Sequence, residues 1–123
     1  MLRWIALGLS LMLAGCSRSV PQEELDRATE AVRVGLNAWK NGDMPAKLKN
    51  AEPPVTFSDD EWSNGKFKLL AFEIKKTEGK PNQPLRCTVQ LTLQDRRGKK
   101  LERDAVYEVR NGSPAVVARD PYY

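Results

Sequence analysis

The chain has 123 residues, 29% of them charged, and a formal net charge of +4, so it is long enough for one small, mildly basic domain. It contains no histidine and only two cysteines, and nothing in it has the ligand spacing of a zinc site. The acidic residues fall on predicted helix ends, turns and outward strand positions, so no pair of carboxylates converges for catalysis, and we predict a protein that is not an enzyme and binds no metal or cofactor.

The first fifteen residues predict a signal peptide. Arg3 supplies one positive charge, and an apolar stretch without charged or amide side chains follows from Trp4 to Leu13. A helix that crosses a hydrocarbon core takes roughly 20 apolar residues, and this run has about half of them. The pattern therefore favours a cleaved signal over a transmembrane anchor.

The end of this run, Leu13-Ala14-Gly15-Cys16, resembles the lipobox of bacterial lipoproteins. The resemblance implies cleavage between Gly15 and Cys16, a diacylglyceryl group on the Cys16 thiol and an acylated new amino terminus. Several acyl chains on one residue anchor a protein stably, because each buried methylene contributes about 0.8 kcal/mol. The membrane is then the partner of Cys16, and Ser17, in place of the aspartate of an inner-membrane retention signal, favours the outer membrane.

Residues 16–20 form the predicted tether, and the predicted domain, residues 21–123, opens on an amphipathic helix. Pro21 suits its first turn, and Asn41-Gly42-Asp43 provides its stop. Apolar residues recur at spacings of three and four, with Val34 the one apolar residue off the stripe. The stripe would cover the domain's own sheet, with a partner helix or a membrane surface as the alternatives; its members are Leu25, Ala28, Val32, Leu36 and Trp39.

Four strands are predicted after a connection with short helical turns. Ser58 and Glu61 have the spacing of a capping box. A change of apolar parity after Leu69 predicts a bulge or a bend in the first strand. The second strand, residues 85–94, alternates most regularly and places Cys87 in the core, as a small apolar residue and not a reactive thiol. A turn at 95–100 leads to the third strand, and Asn111-Gly112 leads to the fourth, residues 114–119.

These elements predict an α+β domain with one long N-terminal helix packed on a four-stranded antiparallel meander sheet. The stretch Leu36–Asp43, the order of Trp62 and Gly65 before a strand, and a long hairpin with Asp95 and Gly98 at its tip resemble small cystatin-like and nuclear-transport-factor-2-like domains. The second family would imply a cone with a pocket between helix and sheet. A fold of this kind does not by itself imply a function.

Five residues are candidates for lining a pocket or contacting a partner: Trp39, Trp62, Phe72, Arg103 and Tyr107. The two tryptophans border the connection from helix to sheet, where core packing is the alternative. Arg103 has an inward register and reaches either solvent or a ligand carboxylate. Tyr107 is expected as a core aromatic with its hydroxyl at a rim.

The sequence argues against two further functions. A cystatin-type peptidase inhibitor would need a Gln-x-Val-x-Gly loop and a Pro-Trp hairpin, and neither is present. The basic run of residues 96–100 lacks the aromatic or groove-reading elements of a nucleic-acid site. We interpret it as a solvated hairpin tip, with anionic headgroups or acidic polysaccharide as the ligands nearest to hand.

We therefore predict a membrane-anchored envelope lipoprotein that docks a protein partner through its α+β domain. The alternatives are a small-molecule or lipid-binding pocket on the same fold, or a purely structural lipoprotein. An open cavity lined by the candidate aromatic residues would favour the pocket, and a filled core beside an exposed apolar patch would favour docking.

Overall fold

The structure is a computed structural model and describes residues 19–123. Helix α1 spans Gln22–Lys40, a 3₁₀ helix spans Pro45–Asn50, and α2 is a single turn at Asp60–Ser63. Five strands form one sheet: β1 (Val55–Ser58), β2 (Lys68–Glu78), β3 (Leu85–Gln94), β4 (Lys100–Arg110) and β5 (Ala115–Arg119). The predicted signal peptide, with Gly15 and Cys16, lies outside the described residues. Between residues 19 and 123, no helix combines the length and apolar character needed to span a membrane.

Helix α1 is amphipathic, as predicted. Glu23 and Glu24 lie in its first turn, where negative charge is favoured by the helix dipole. Four residues of the predicted stripe are buried and Leu25 is only half-buried. The buried face is broader along the rest of the helix and consists of Ala28, Ala31, Val32, Gly35, Leu36, Ala38 and Trp39. A methyl group at Gly35 would overlap the ring of Phe57, so the helix lies this close to β1 only because residue 35 has no side chain.

The predicted alternation of β3 is confirmed, and the apolar face of the sheet packs against α1. The buried residues of β3 are Leu85, Cys87, Val89, Leu91 and Leu93. In the pairing of β2 with β3 the register shifts between Leu69 and Ala71, which confirms the bulge. Strands β2 to β5 follow one another as antiparallel neighbours, so the α+β class and the order of these elements are also confirmed.

The sheet has one strand more than predicted, and it is mixed. Strand β1 pairs in parallel with β5, from Val55 opposite Ala115 to Ser58 opposite Ala118, and gives the order β1-β5-β4-β3-β2. The prediction of four purely antiparallel strands is therefore wrong. Four residues are too few for a periodicity that separates a strand from a loop, and the partner of β1 lies about sixty positions further along the chain.

Candidate functional site

Aromatic rings fill the space between α1, α2 and the sheet. Trp39 and Trp62 stack with ring centroids 5.7 Å apart and planes inclined by 10°. The ring of Phe57 meets Trp62 edge-on at 5.3 Å and contacts Tyr107 at the same distance. All four side chains are buried, and Tyr107 is 0% exposed. Three of the five candidate residues are thus brought together, in a packed cluster with Phe57.

The polar edges of these rings are satisfied inside the protein. The indole N–H of Trp39 donates to the carbonyl oxygen of Phe67 at 3.2 Å, and that of Trp62 donates to the carbonyl oxygen of Asp43 at 2.9 Å. Both indole donors are therefore occupied by the backbone and are not free for a ligand.

Phe72, another of the five candidate residues, is half-buried on β2 and packs on the core opposite Leu91.

A buried carboxylate, which the sequence did not predict as part of a site, lies beside the aromatic cluster. Asp59 is 3% exposed and is the one buried charged residue between positions 19 and 123. Its Oδ2 accepts a hydrogen bond from the Tyr107 hydroxyl at 2.6 Å, and Arg119 Nη1 donates to both carboxylate oxygens at 3.3 and 3.1 Å. The Tyr107 hydroxyl was expected at a rim of the core, but it donates to a buried carboxylate instead.

The cluster continues to the surface through Glu61. Arg119 Nη2 lies 3.0 Å from Glu61 Oε1, and Arg103 Nη2 donates to Glu61 Oε2 at 2.7 Å. The Arg103 side chain is 40% exposed, and its guanidinium lies over the ring of Phe67, 5.9 Å from the centroid. For Arg103 the expected alternatives were solvent and a ligand carboxylate. Its guanidinium instead pairs with a carboxylate of the protein, that of Glu61.

Asp59 and not Ser58 caps helix α2. The Asp59 side chain accepts the backbone N–H of Glu61 at 3.0 Å, so the expected capping box does not form and the Glu61 side chain is free to pair with arginine. The sequence did contain a signal for this arrangement. Arg103 and Tyr107 are polar side chains with an inward register on β4, which favours polar partners inside the protein, and residues 59–61 are three consecutive acidic residues outside the four predicted strands.

Burial raises the pKa of Tyr107 well above its ordinary value near 10, and the charge and hydrogen bond of Asp59 raise it further. The physical cause is that a phenolate at this position would be desolvated and would face a carboxylate. Arg119, whose guanidinium lies 5.8 Å from the centre of the ring, lowers the pKa by a smaller amount.

This pKa predicts a loss of stability at alkaline pH. As the pH rises past about 10, the unfolded chain releases the Tyr107 proton before the folded protein does. The contribution of Tyr107 is therefore fully present below pH 10 and is lost above it, by up to about 1.4 kcal/mol per pH unit. Urea titrations between pH 8 and 11.5 should show a steeper fall for the natural protein than for Tyr107→Phe. Parallel curves would contradict the assignment.

The Asp59 cluster borders a depression of about 500 Å³ whose lining includes Asp60, Glu61, Arg119 and Asp120. Most of these charges are neutralised within the protein, since Asp120 also pairs with Arg86 at 2.9 Å. In the part of the chain that the structure describes, no three metal-ligating side chains are grouped. The arrangement joins α2 and β5 to β4 through hydrogen bonds and ion pairs.

A second depression, of about 480 Å³, lies between α1 and the neighbouring ends of β1 and β5, and we call it the apolar groove. Its apolar lining comprises Ala31, Val34, Pro53, Pro54, Val55, Gly112 and Ala115, and Arg27, Glu30, Asn111 and Ser113 also line it. Val34, the apolar residue off the helix stripe, therefore lies in this groove. Neither of the two depressions is lined by Trp39, Trp62, Phe72 or Tyr107.

Cys87 is 0% exposed, and the Thr77 hydroxyl lies 3.4 Å from its sulfur. Burial raises the pKa of the thiol, so at neutral pH the thiolate needed for reactivity is suppressed. The residue lies in the core, as the strand pattern predicted.

Comparison of the chain with protein-family models, with curated proteins and with solved structures finds no match.

Proposed function

We propose that this protein is a lipoprotein of the bacterial envelope that docks a protein partner and catalyses no reaction. The observation that carries the proposal is the contrast between a filled core and an open surface groove. Trp39, Trp62 and Tyr107 are buried against one another or against Phe57, so the candidate aromatic residues leave no cavity between them. The apolar groove, in contrast, is accessible from outside.

The lining of the groove fits an extended aliphatic segment of an envelope protein. The floor is aliphatic and contains Ala31, Val34 and Val55, and burial of apolar side chains there is favourable. Arg27 and Glu30 bring charges of both signs to the same groove. Groups of this kind suit the backbone and side-chain polar groups of a bound peptide, because an interface combines an apolar centre with a polar rim.

The proposed anchor sets where this partner is met. Residues 17–20 separate Cys16 from Pro21, which caps α1, and a fully extended chain of four residues spans about 15 Å. A domain held on so short a tether works close to the membrane surface. The partner is then a membrane protein or another protein held at the same surface.

Lipidation is tested by labelling cells with an alkyne fatty acid. The natural protein should incorporate the label and sediment with membranes, and Cys16→Ala should do neither. Cys87→Ala is the matched control, because it removes the other thiol and leaves the lipobox intact, and it should still be labelled. A Cys16→Ala protein that carries label and stays with membranes would show that the anchor is assigned wrongly.

Docking is tested in cells with a photocrosslinking amino acid at Glu30, which lines the groove, and at Glu73, which is exposed on β2 and is not among the groove residues. We expect a discrete adduct from position 30, none from position 73, and loss of the adduct when Val34→Glu places a charge in the groove. Identical adducts from both positions, or an adduct that survives Val34→Glu in a folded protein, would contradict docking at this groove.

The second candidate function is binding of a lipid or another apolar small molecule. It is favoured by the same lining, because a groove with seven apolar residues also suits an acyl chain. A fluorescent fatty acid titrated into the purified protein distinguishes the two functions. Saturable binding that Val34→Glu abolishes supports the ligand, whereas its absence together with the adduct at position 30 supports docking.

A further inference from the structure

Positive charge is concentrated at one end of the domain, which we call the basic end. It consists of Lys66, Lys68, Arg96, Arg97, Lys99 and Lys100. Its two segments, residues 66–68 and 95–100, hold these six basic side chains and a single acidic one, Asp95. The other described residues hold twelve basic and fifteen acidic side chains. The excess of positive charge in residues 19–123 is therefore entirely local to this end.

The sheet brings the two segments together. Gln94 pairs with Lys68 on one side and with Lys100 on the other, which places the two lysines two strand spacings, about 10 Å, apart. Lys66, Lys68 and Arg96 all line one shallow depression of about 280 Å³. The six cations thus form one surface, although 27 positions separate Lys68 from Asp95.

The hairpin that carries four of the cations is fixed by its own hydrogen bonds. Asp95 Oδ1 accepts the backbone N–H groups of Arg97 and Lys99, both at 2.9 Å. Gln94 Nε2 donates to the carbonyl oxygen of Gly98 at 3.1 Å, and Gly98 adopts a φ of 87°, which a glycine accepts without strain. The one carboxylate at this end is therefore directed to the backbone, and the exposed basic side chains extend from a preorganised loop.

None of the ion pairs within residues 19–123 involves the six basic side chains. Most other cations of the sheet are paired: Lys75, Lys76, Arg86, Arg103 and Arg119 each lie within 3.5 Å of a carboxylate oxygen, and Arg110 is the exception. A group of like charges without internal partners repels itself. Binding of an external anion relieves this repulsion.

The basic end lies far from the tether. Helix α1 has 19 residues and is about 28 Å long. Its start lies near the β2–β3 turn, because Val20 and Glu24 share a depression with Lys80 and Gln83. Its last turn reaches Phe67, next to the basic end, through the hydrogen bond of Trp39. An anchor at Cys16 would therefore direct the basic end away from its own membrane.

We propose that the basic end binds a linear polyanion, an acidic polysaccharide of the envelope. The exposed large apolar side chains of the described residues are Met44, Val116, Tyr122 and Tyr123, and none belongs to this end. Phe67 lines the same depression as Lys66 and Lys68, but it is half-buried against the core. A surface with so little exposed apolar area lacks the hot spots of a protein interface but suits a chain of repeated carboxylates, which is bound through charge. Only the orientation of this surface relative to the membrane rests on the proposed anchor.

The test is titration of the full chain in detergent with polygalacturonate, at about 50 mM and 200 mM salt. Because bound counterions are released and charges are screened, we expect affinity to fall steeply with salt. The variant R96Q/R97Q/K99Q/K100Q should bind about tenfold or more weakly, with a flatter dependence on salt. The matched control K47Q/K49Q/K75Q/K76Q removes the same charge elsewhere and should lose less than about threefold.

Equal losses in the two variants would overturn the proposal, because binding would then follow net charge alone. Vesicles containing phosphatidylglycerol provide the second arm, with the full chain reconstituted through its anchor into phosphatidylcholine vesicles, so that neither detergent nor the acyl chains interfere. If the phosphatidylglycerol vesicles displace polygalacturonate from the reconstituted protein, and R96Q/R97Q/K99Q/K100Q abolishes capture of these vesicles, the surface binds membrane and the proposal is wrong. Val34→Glu should leave polygalacturonate binding unchanged, so failure of docking at the apolar groove and failure of this surface are separate results.

Discussion

Replacing Asp59 by alanine is expected to lower the free energy of unfolding by about 3–5 kcal/mol, because it removes one partner from a buried ion pair. The Arg119 guanidinium, whose side chain is 13% exposed, would keep its charge and lose the carboxylate to which its Nη1 donates, with Glu61 as its remaining partner. The Tyr107 hydroxyl, at 2.6 Å from Asp59, would become a buried donor without an acceptor. Urea denaturation followed by far-UV circular dichroism measures the loss.

Asp60→Ala is the matched control for this experiment. Asp60 is the next residue along the chain and is exposed, so its replacement should change the stability by no more than about 0.5 kcal/mol. The loss of stability in Asp59→Asn should lie between those of the two alanine variants. An amide oxygen still accepts the hydrogen bond of Tyr107 but does not neutralise the charge of Arg119. If Asp59→Ala were no more destabilising than Asp60→Ala, the cluster would contribute nothing to the fold.

Replacing Trp62 by alanine is expected to lower the free energy of unfolding by about 3–5 kcal/mol, the usual cost of truncating a buried tryptophan. Its ring fills the space between Trp39 and Phe57, and the alanine would leave a cavity there. The indole N–H also joins α2 to the carbonyl oxygen of Asp43, just beyond the end of α1. Denaturation followed by circular dichroism avoids reliance on tryptophan fluorescence, which the substitution itself changes.

Two further variants separate packing from hydrogen bonding at this position. Trp62→Phe keeps a ring in the stack and loses the N–H, so it should lose about 1–3 kcal/mol. Met44→Ala removes a side chain that is 55% exposed and should have an effect within about 0.5 kcal/mol. A Trp62→Ala variant as stable as Met44→Ala would mean that the aromatic cluster does not pack as described.

The Asp59 and Trp62 interactions both support the floor of the apolar groove. Val55 lies in that floor and belongs to β1, the short edge strand that ends immediately before Asp59. Phe57, also on β1, is held between Trp62 and Tyr107. Loosening of either cluster is therefore expected to weaken docking at the groove as well as the fold, which is why docking variants need a check of stability.

The long elements could be predicted because each one carries its pattern in its own residues. In β3 five buried residues alternate with five half-buried ones, and a period of two sustained over ten positions is typical of a strand with one face in the core. The bulge near Leu69 was visible as a change of parity for the same reason. These patterns record which side of a helix or strand is apolar, and that is a local property.

The candidate site was predicted only in part, for a physical reason. Arg103 and Tyr107 were recognised because their inward register on β4 is local, but their partners, Glu61 and Asp59, lie more than forty positions away. Strand β1 was missed because its parallel pairing with β5 is equally distant. The four residues of β1 contain no local pattern that identifies the distant strand with which they pair.

Sequence periodicity was sufficient for the class of the fold and the core face of the long elements, and a short motif predicts a lipobox at Cys16, because both kinds of signal depend on adjacent residues. The packing of distant elements is what buries Asp59 against Arg119, places Val34 in a groove with Val55, and brings Lys68 and Lys100 onto one basic surface. Each of these depends on which elements lie side by side, and the free energy of that choice is spread over the whole packed core.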